Sequence, residues 1–110
     1  MEIDYKKNKL KRQLSQASEI KKNFGVNAKR IAMRLEEIES SPTLAVLMQI
    51  PAANCHLLSG SRQGQWAVDL SGNFRLIFEL DHDPIPKRND GSIDARLITK
   101  VCIIEIVDYH

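Results

Sequence analysis

The chain predicts an α+β fold: two N-terminal helices, plus a short helical turn, packed on one face of a mostly antiparallel twisted sheet. Three observations point there. Apolar residues recur at helical spacing up to about residue 40 and alternate at period two from about residue 55. Gly72-Asn73 separates two alternating runs, as a tight hairpin does. With 110 residues, 43% of them hydrophobic, the chain is one domain with enough material for its own core.

Glu2 to Tyr5 reads as a short first strand. From Lys6 the period changes, and Leu10, Leu14, Ala17, Ile20 and Phe24 fall on one helical stripe with Lys and Arg on the other faces. Gly25 stops this helix. Asn27 is placed to cap a second helix whose stripe is Ala28, Ile31, Ala32, Leu35 and Ile38. Ser40-Ser41-Pro42 ends it, and a third helical turn fits Thr43 to Met48, before Pro51.

Strand patterns follow. Cys55 to Leu58 leads to a turn at Ser59-Gly60-Ser61. Gln65 to Ser71 alternates with Trp66, Val68 and Leu70 on one face. Phe74 to Leu80 places Phe74, Leu76, Phe78 and Leu80 inward and Arg75, Ile77 and Glu79 on the other side. Asp81 to about Arg96 is a polar loop. The final strand, about Ile98 to Tyr109, is nearly all apolar, the pattern of a strand covered on both faces.

The net charge of +2 conceals a division. Residues 1–34 carry ten Lys/Arg against three Asp/Glu, and the remainder six against eleven. A basic front half suits either a phosphate backbone or a solvated helix face. No apolar run approaches a membrane span and the N-terminus has no signal-peptide pattern, so the expected compartment is the cytoplasm. Cys55 and Cys102 lack metal-ligand spacing and read as buried reduced thiols.

Chemistry-bearing residues gather in the second half. The last strand runs into Asp108, Tyr109 and His110, three side chains able to move protons. Strict alternation puts Asp108 and His110 on one face and Tyr109 on the other. Negative charge from Asp108 and the α-carboxylate favours the imidazolium form of His110 near neutral pH. Arg75 stands opposite a core-facing row of Phe and Leu, where it can grip a phosphate or pair with Asp69 or Glu79. His56 is either a hydrogen-bonded structural histidine or a proton carrier, and His82 lies in the polar loop as a solvated side chain. A base, a cation and an acid suffice to cleave RNA, and no HxH, HxxxH or CxxC spacing suggests a metal.

Three segments carry a family resemblance: Leu58-Ser59-Gly60-Ser61-Arg62-Gln63-Gly64-Gln65-Trp66-Ala67-Val68, Gly72-Asn73-Phe74-Arg75-Leu76-Ile77-Phe78 and Glu105-Ile106-Val107-Asp108-Tyr109-His110. Together with Gly25-Val26-Asn27-Ala28-Lys29-Arg30, they resemble the HigB-type toxins of the RelE/ParE superfamily, over nearly the whole chain and in the same order. That resemblance implies a RelE/ParE-like fold and a ribosome-dependent, metal-independent mRNA endonuclease without a cofactor. It also implies a cognate helix-turn-helix (HigA-like) antitoxin as partner, beside the ribosome and mRNA, and no membrane.

By the same resemblance the catalytic positions are His56, Arg75, Asp108, Tyr109 and His110. His56 and His110 handle protons, Asp108 orients or removes one, Arg75 binds phosphate, and Tyr109 stacks on a base or hydrogen-bonds near the scissile group. Arg62, Lys29 and Arg30 are the accompanying RNA contacts. Two departures stand out. Ser59 occupies a position where several members carry lysine, and the loop 81–96 is longer than in relatives. Lys87 and Arg88 in that loop either touch RNA or belong to a loose surface insertion. The superfamily also allows a ParE-like gyrase-inhibiting toxin, or a relative that only binds RNA or an antitoxin.

Overall fold

The computed structural model describes residues 1–109. Strand β1 (Glu2–Tyr5) is followed by four helices, α1 (Asn8–Gln13), α2 (Ala17–Phe24), α3 (Ala28–Ser40) and α4 (Leu44–Leu47). Four strands complete the domain: β2 (His56–Leu57), β3 (Gln65–Asp69), β4 (Phe74–Leu80) and β5 (Lys100–Asp108). They form one five-stranded mixed sheet in the order β1-β5-β4-β3-β2. Only the β1–β5 pair is parallel among the described strands, and it is reached by carrying the chain through the helices and the hairpins.

The helices cover one face of the sheet. Ile31 and Ile38 of α3, Leu44 and Leu47 of α4, Val68, Leu76, Phe78, Val101 and Ile103 are all fully buried in one cluster. Each such side chain contributes about 1.5–3 kcal/mol when removed from water. Phe74, Leu76, Phe78 and Leu80 do face this core, as the alternation of β4 requires. Arg34 of α3 is equally buried, at 1% exposure, and works as a strut. Its Nε donates to the carbonyl of Asp69 (2.7 Å), Nη2 to that of Ala52 (2.8 Å) and Nη1 to Glu37 (2.9 Å). A desolvated guanidinium is tolerated because each of its three nitrogens donates to an acceptor.

Several sequence expectations are corrected. The first helical stripe is broken into α1 and α2, because Ser15 bonds the Arg12 carbonyl with both its amide (3.3 Å) and its hydroxyl (2.8 Å) and Gln16 is extended. Asn27 makes no side-chain cap for α3; its Oδ1 accepts from the Ser71 hydroxyl instead and ties the helix start to the sheet. β2 is shorter than the Cys55–Leu58 pattern. β5 is an interior strand, yet only Val101 and Ile103 are fully buried, and Cys102 and 104–107 are partly exposed. The loop after β4 is folded back on itself through a Lys87–Ile93 bridge and an Arg88 amide to Ser92 carbonyl bond of 2.7 Å.

β5 also carries a bulge. Ile77 pairs with Glu105, but Phe78 pairs with Ile103, so Ile104 is an extra residue without a partner in the register. Past it, the pleat of β5 is inverted relative to a regular strand.

Candidate functional site

The face of the sheet turned away from the helices is where the chemistry-bearing strand residues meet. On β3 and β4 the core takes Trp66, Val68, Leu76 and Phe78, which leaves Ala67, Asp69, Arg75 and Ile77 on the opposite side. His56 pairs with Ala67, so it joins this open face from the edge strand. Val107 pairs with Arg75 and Glu105 with Ile77, so the bulge brings residues 105 and 107 of β5, and Tyr109 just past its end, to the same side. Ala67 and Ile77 form its apolar floor, and both are fully covered. The register puts the Cα atoms of His56 and Arg75 about 12 Å apart, from two inter-strand steps and two residues along the strand.

One ion pair and two hydrogen bonds link those two residues, and Asp69 Oδ1, on the ion-pair side, accepts no hydrogen bond among the described residues. Asp69 and Arg75 are partners across the β3–β4 hairpin, and Arg75 Nε lies 2.8 Å from Asp69 Oδ1. Of the two partners the sequence offered, Asp69 is the one used. Arg75 Nη1 also donates to the carbonyls of Gly72 (3.0 Å) and Phe74 (2.9 Å), which braces the turn. The other carboxylate oxygen, Asp69 Oδ2, accepts from Asn54 Nδ2 at 3.1 Å. Asn54 has a left-handed backbone (φ 45, ψ 52), a conformation that Asn tolerates better than most residues. Its carbonyl lies 2.7 Å from His56 Nδ1. A carbonyl only accepts, so Nδ1 carries the proton and Nε2 of the neutral ring holds the basic lone pair.

A second cluster lies at the other side of the face. Arg62, in the Gly60–Arg62 turn, donates from Nη1 to Gln65 (3.0 Å) and from Nη2 to Glu105 (2.5 Å). Its Cζ sits 5.7 Å from the centre of the Tyr109 ring, within cation–π range. The hydrogen bond to Glu105 raises the guanidinium above its ordinary pKa, so Arg62 keeps its charge. The Tyr109 amide donates to the Asn73 carbonyl at 2.8 Å and anchors the end of β5 to the hairpin turn.

Other expected site residues fall elsewhere. Asp108 pairs with Phe74, on the pleat opposite Arg75. His110, together with its expected protonation, lies outside the described residues. Lys29 and Arg30 are exposed on α3, in the helical layer, and Lys87 and Arg88 are exposed in the loop beside Leu57 and Trp66; none of the four is on the open face. His82 is more than solvated, because its Nε2 accepts from the Thr99 amide at 3.0 Å. Cys55 and Cys102 are free, and burial pushes the Cys55 thiol up to about 12. Among the described residues no group of three or more His, Cys, Asp or Glu is arranged to hold a metal ion, and no helix is long and apolar enough to cross a membrane.

Asn54, Glu105 and Arg34 were not singled out from the sequence. A hairpin centred on Gly72 does place residues 69 and 75 opposite each other, so the Asp69–Arg75 pair was available from the turn. Asn54 had the signal of a polar residue that tolerates left-handed backbone directly after a Pro-started turn. Comparison with protein-family models and with curated proteins finds no match for this chain. The class defined by the coordinates is therefore architectural: an α+β domain with a five-stranded mixed sheet, one face under helices and one presenting His56, Arg62, Arg75 and Tyr109.

Proposed function

We propose that this chain is a HigB-type toxin of the RelE/ParE superfamily, with its fold the RelE/ParE-like one, and that it cleaves mRNA on the translating ribosome. The observation that carries the reading is the shared open face, where a histidine with a basic Nε2 and Arg75 stand on sheet strands, with Arg62 of the Gly60–Arg62 turn and an exposed Tyr109 beside them. His56 Nε2 takes the proton of a ribose 2′-OH, the oxygen attacks phosphorus, and the bond to the 5′-oxygen breaks to leave a 2′,3′-cyclic phosphate. His110, outside the described residues, is the proposed acid that returns a proton to the departing oxygen, while Asp108, on the pleat opposite Arg75, does not share the open face. Arg75 and Arg62 hold the phosphate as negative charge builds on it, and Tyr109 stacks on a base. No step calls for a metal or cofactor. Such a toxin works in the cytoplasm and is held inactive there by a helix-turn-helix antitoxin.

The test is to induce the protein alone, map 5′-ends of cellular mRNA and monitor DNA breaks. Codon-phased cuts that disappear in a His56→Ala, Arg75→Ala double variant support the reading. Gyrase-linked DNA breaks without mRNA cuts overturn it in favour of a ParE-like toxin. Two features favour a third reading, a relative that binds RNA or an antitoxin without cutting. Arg75 already commits Nε and Nη1 to Asp69 and turn carbonyls, and Ser59 stands where several members of the resembled family have lysine. Ribosome binding without cuts is its signature.

A further inference from the structure

We infer that Asp69 and Asn54 are positioning residues: one carboxylate clamps Arg75 and, through Asn54, decides which ring nitrogen of His56 faces a substrate. This rests on the nuclease reading of the open face for its catalytic meaning, while the clamp itself is a matter of geometry. Asp69 serves two partners with two oxygens: Oδ1 forms an ion pair with Arg75 Nε at 2.8 Å, and Oδ2 accepts a hydrogen bond from Asn54 Nδ2 at 3.1 Å. Neither of those partners lies next to Asp69 in the chain, so the carboxylate ties the turn before β2 to strand β4. Asn54 then passes the order on, since its carbonyl receives the His56 Nδ1 proton at 2.7 Å.

The clamp is braced from beneath. Arg34 donates to the backbone carbonyl of Asp69 and to that of Ala52, two residues before Asn54. The two backbone stretches whose side chains meet above are thus tied together by a buried guanidinium below. Asp69 and Asn54 cannot drift apart without stretching bonds to Arg34, which is 1% exposed. A carboxylate held in this way does two jobs. It keeps the Arg75 guanidinium in one orientation, and it stops the Asn54 peptide from turning its carbonyl away from the histidine. Without the second effect, the neutral ring is free to put its proton on Nε2, and its base then faces the protein instead of the ribose hydroxyl.

The experiment uses the full chain, uniformly labelled with ¹⁵N, as wild type, Asp69→Asn, Asp69→Ala and Asn54→Gly. Long-range ¹H–¹⁵N spectra read the His56 tautomer, and exchange of the Arg75 Nε proton reads the clamp. In the wild type the neutral ring is expected as the Nδ1–H form with a slowly exchanging Arg75 Nε–H. In Asp69→Ala the Nε–H exchanges about tenfold faster or more and His56 shifts toward Nε2–H. Asp69→Asn, which can still accept from Asn54, keeps more of the wild-type tautomer while removing the carboxylate charge that faces Arg75. Should Asp69→Ala not fold, Asn54→Gly carries the same tautomer test, because glycine adopts the left-handed backbone without strain.

In ribosome-dependent cleavage the Asp69→Ala and Asn54→Gly variants should lose about tenfold to a hundredfold in kcat with KM little changed, and the pH–rate profile should shift. An unchanged tautomer and unchanged Nε–H exchange in folded Asp69→Ala overturn the clamp. Full kcat in that variant overturns the positioning role. A wild-type protein that does not cut RNA ends the nuclease reading instead, and the spectra still decide whether the clamp exists.

Discussion

Ile77 and Glu105 face each other across β4 and β5 immediately before the register slips, and that slip decides what the open face contains. Val101 and Ile103 point into the core. Strict alternation from them would carry 105, 107 and 109 to the core as well. The extra residue, Ile104, inverts the pleat, so Glu105 reaches Arg62 and the ring of Tyr109 lies under the same guanidinium. Deleting Ile104 should therefore remove the bulge and make the Phe78–Ile103 and Ile77–Glu105 pairings consecutive, with Glu105 and Tyr109 still on the open face. Urea unfolding of the deletion variant should show a loss below about 3 kcal/mol. A loss on the order of 3–5 kcal/mol, the cost of a buried carboxylate without its partner, would mean that Glu105 had been driven into the core.

Arg34 joins three elements from inside the core, so its removal should be felt as stability before it is felt as activity. Arg34→Met keeps the apolar stem but strands the carbonyls of Asp69 and Ala52 and the carboxylate of Glu37. Leaving such groups unmet costs about 1–3 kcal/mol each when they are buried, and Glu37, which is partly exposed, adds less. The expected outcome is a midpoint shift equivalent to about 3 kcal/mol, with near-native circular dichroism at low denaturant. A neutral substitution would show that water satisfies those carbonyls.

Much of this arrangement can be read from the residues, and the failures have a common cause. β1 and the β3–β4 hairpin follow from alternation and a Gly-Asn turn, because a half-buried strand prints its pleat directly on the sequence. Arg75 is legible for the same reason, since a polar residue among alternating apolar ones marks the outer face, whereas Arg62, in a turn, is picked out only by the family resemblance. What alternation shows only indirectly is a bulge. In the apolar run Val101 to Ile104 every residue is acceptable on either face, so the extra residue itself leaves no signature; the mark of the inversion is Glu105, which strict alternation from Val101 and Ile103 would send into the core. Nor does periodicity show a side chain that replaces backbone bonds, as Ser15 does in splitting the first helical stripe and Arg34 does in bracing Asp69. Both depend on partners distant in the chain or on local competition for a carbonyl.

Arg62 tests the second cluster on its own. Its ion pair with Glu105 is part-exposed, so Arg62→Ala should change stability by less than about 1 kcal/mol. On the proposed nuclease reading the loss should appear in RNA handling: about tenfold weaker cleavage, with Arg62→Lys intermediate because it keeps the charge but not the paired donors or the planar contact with Tyr109. Primer extension on a reporter message gives the rate, and thermal melting gives the stability. Equal loss in both would place Arg62 among the residues that hold the fold rather than the substrate.

Cys55 sets a clear pH expectation. Burial penalises the thiolate, so in the folded chain the thiol pKa is raised from its ordinary 9.0 to about 12. The sign follows from linkage. The unfolded chain releases this proton near pH 9 while the folded one retains it, so the stabilisation is fully present below about pH 9 and is lost between about pH 9 and 12. Cys102 shifts in the same direction, mainly through desolvation, but it is more exposed and a weaker contributor. Unfolding midpoints measured across that window should fall with rising pH in the wild type and fall less in Cys55→Ala. At pH 8 the Cys55 thiol should react with iodoacetamide far more slowly than the same thiol in denatured protein. Equal alkylation rates in the two states would show that Cys55 is accessible and its thiolate unpenalised, and the pH dependence should then vanish with it.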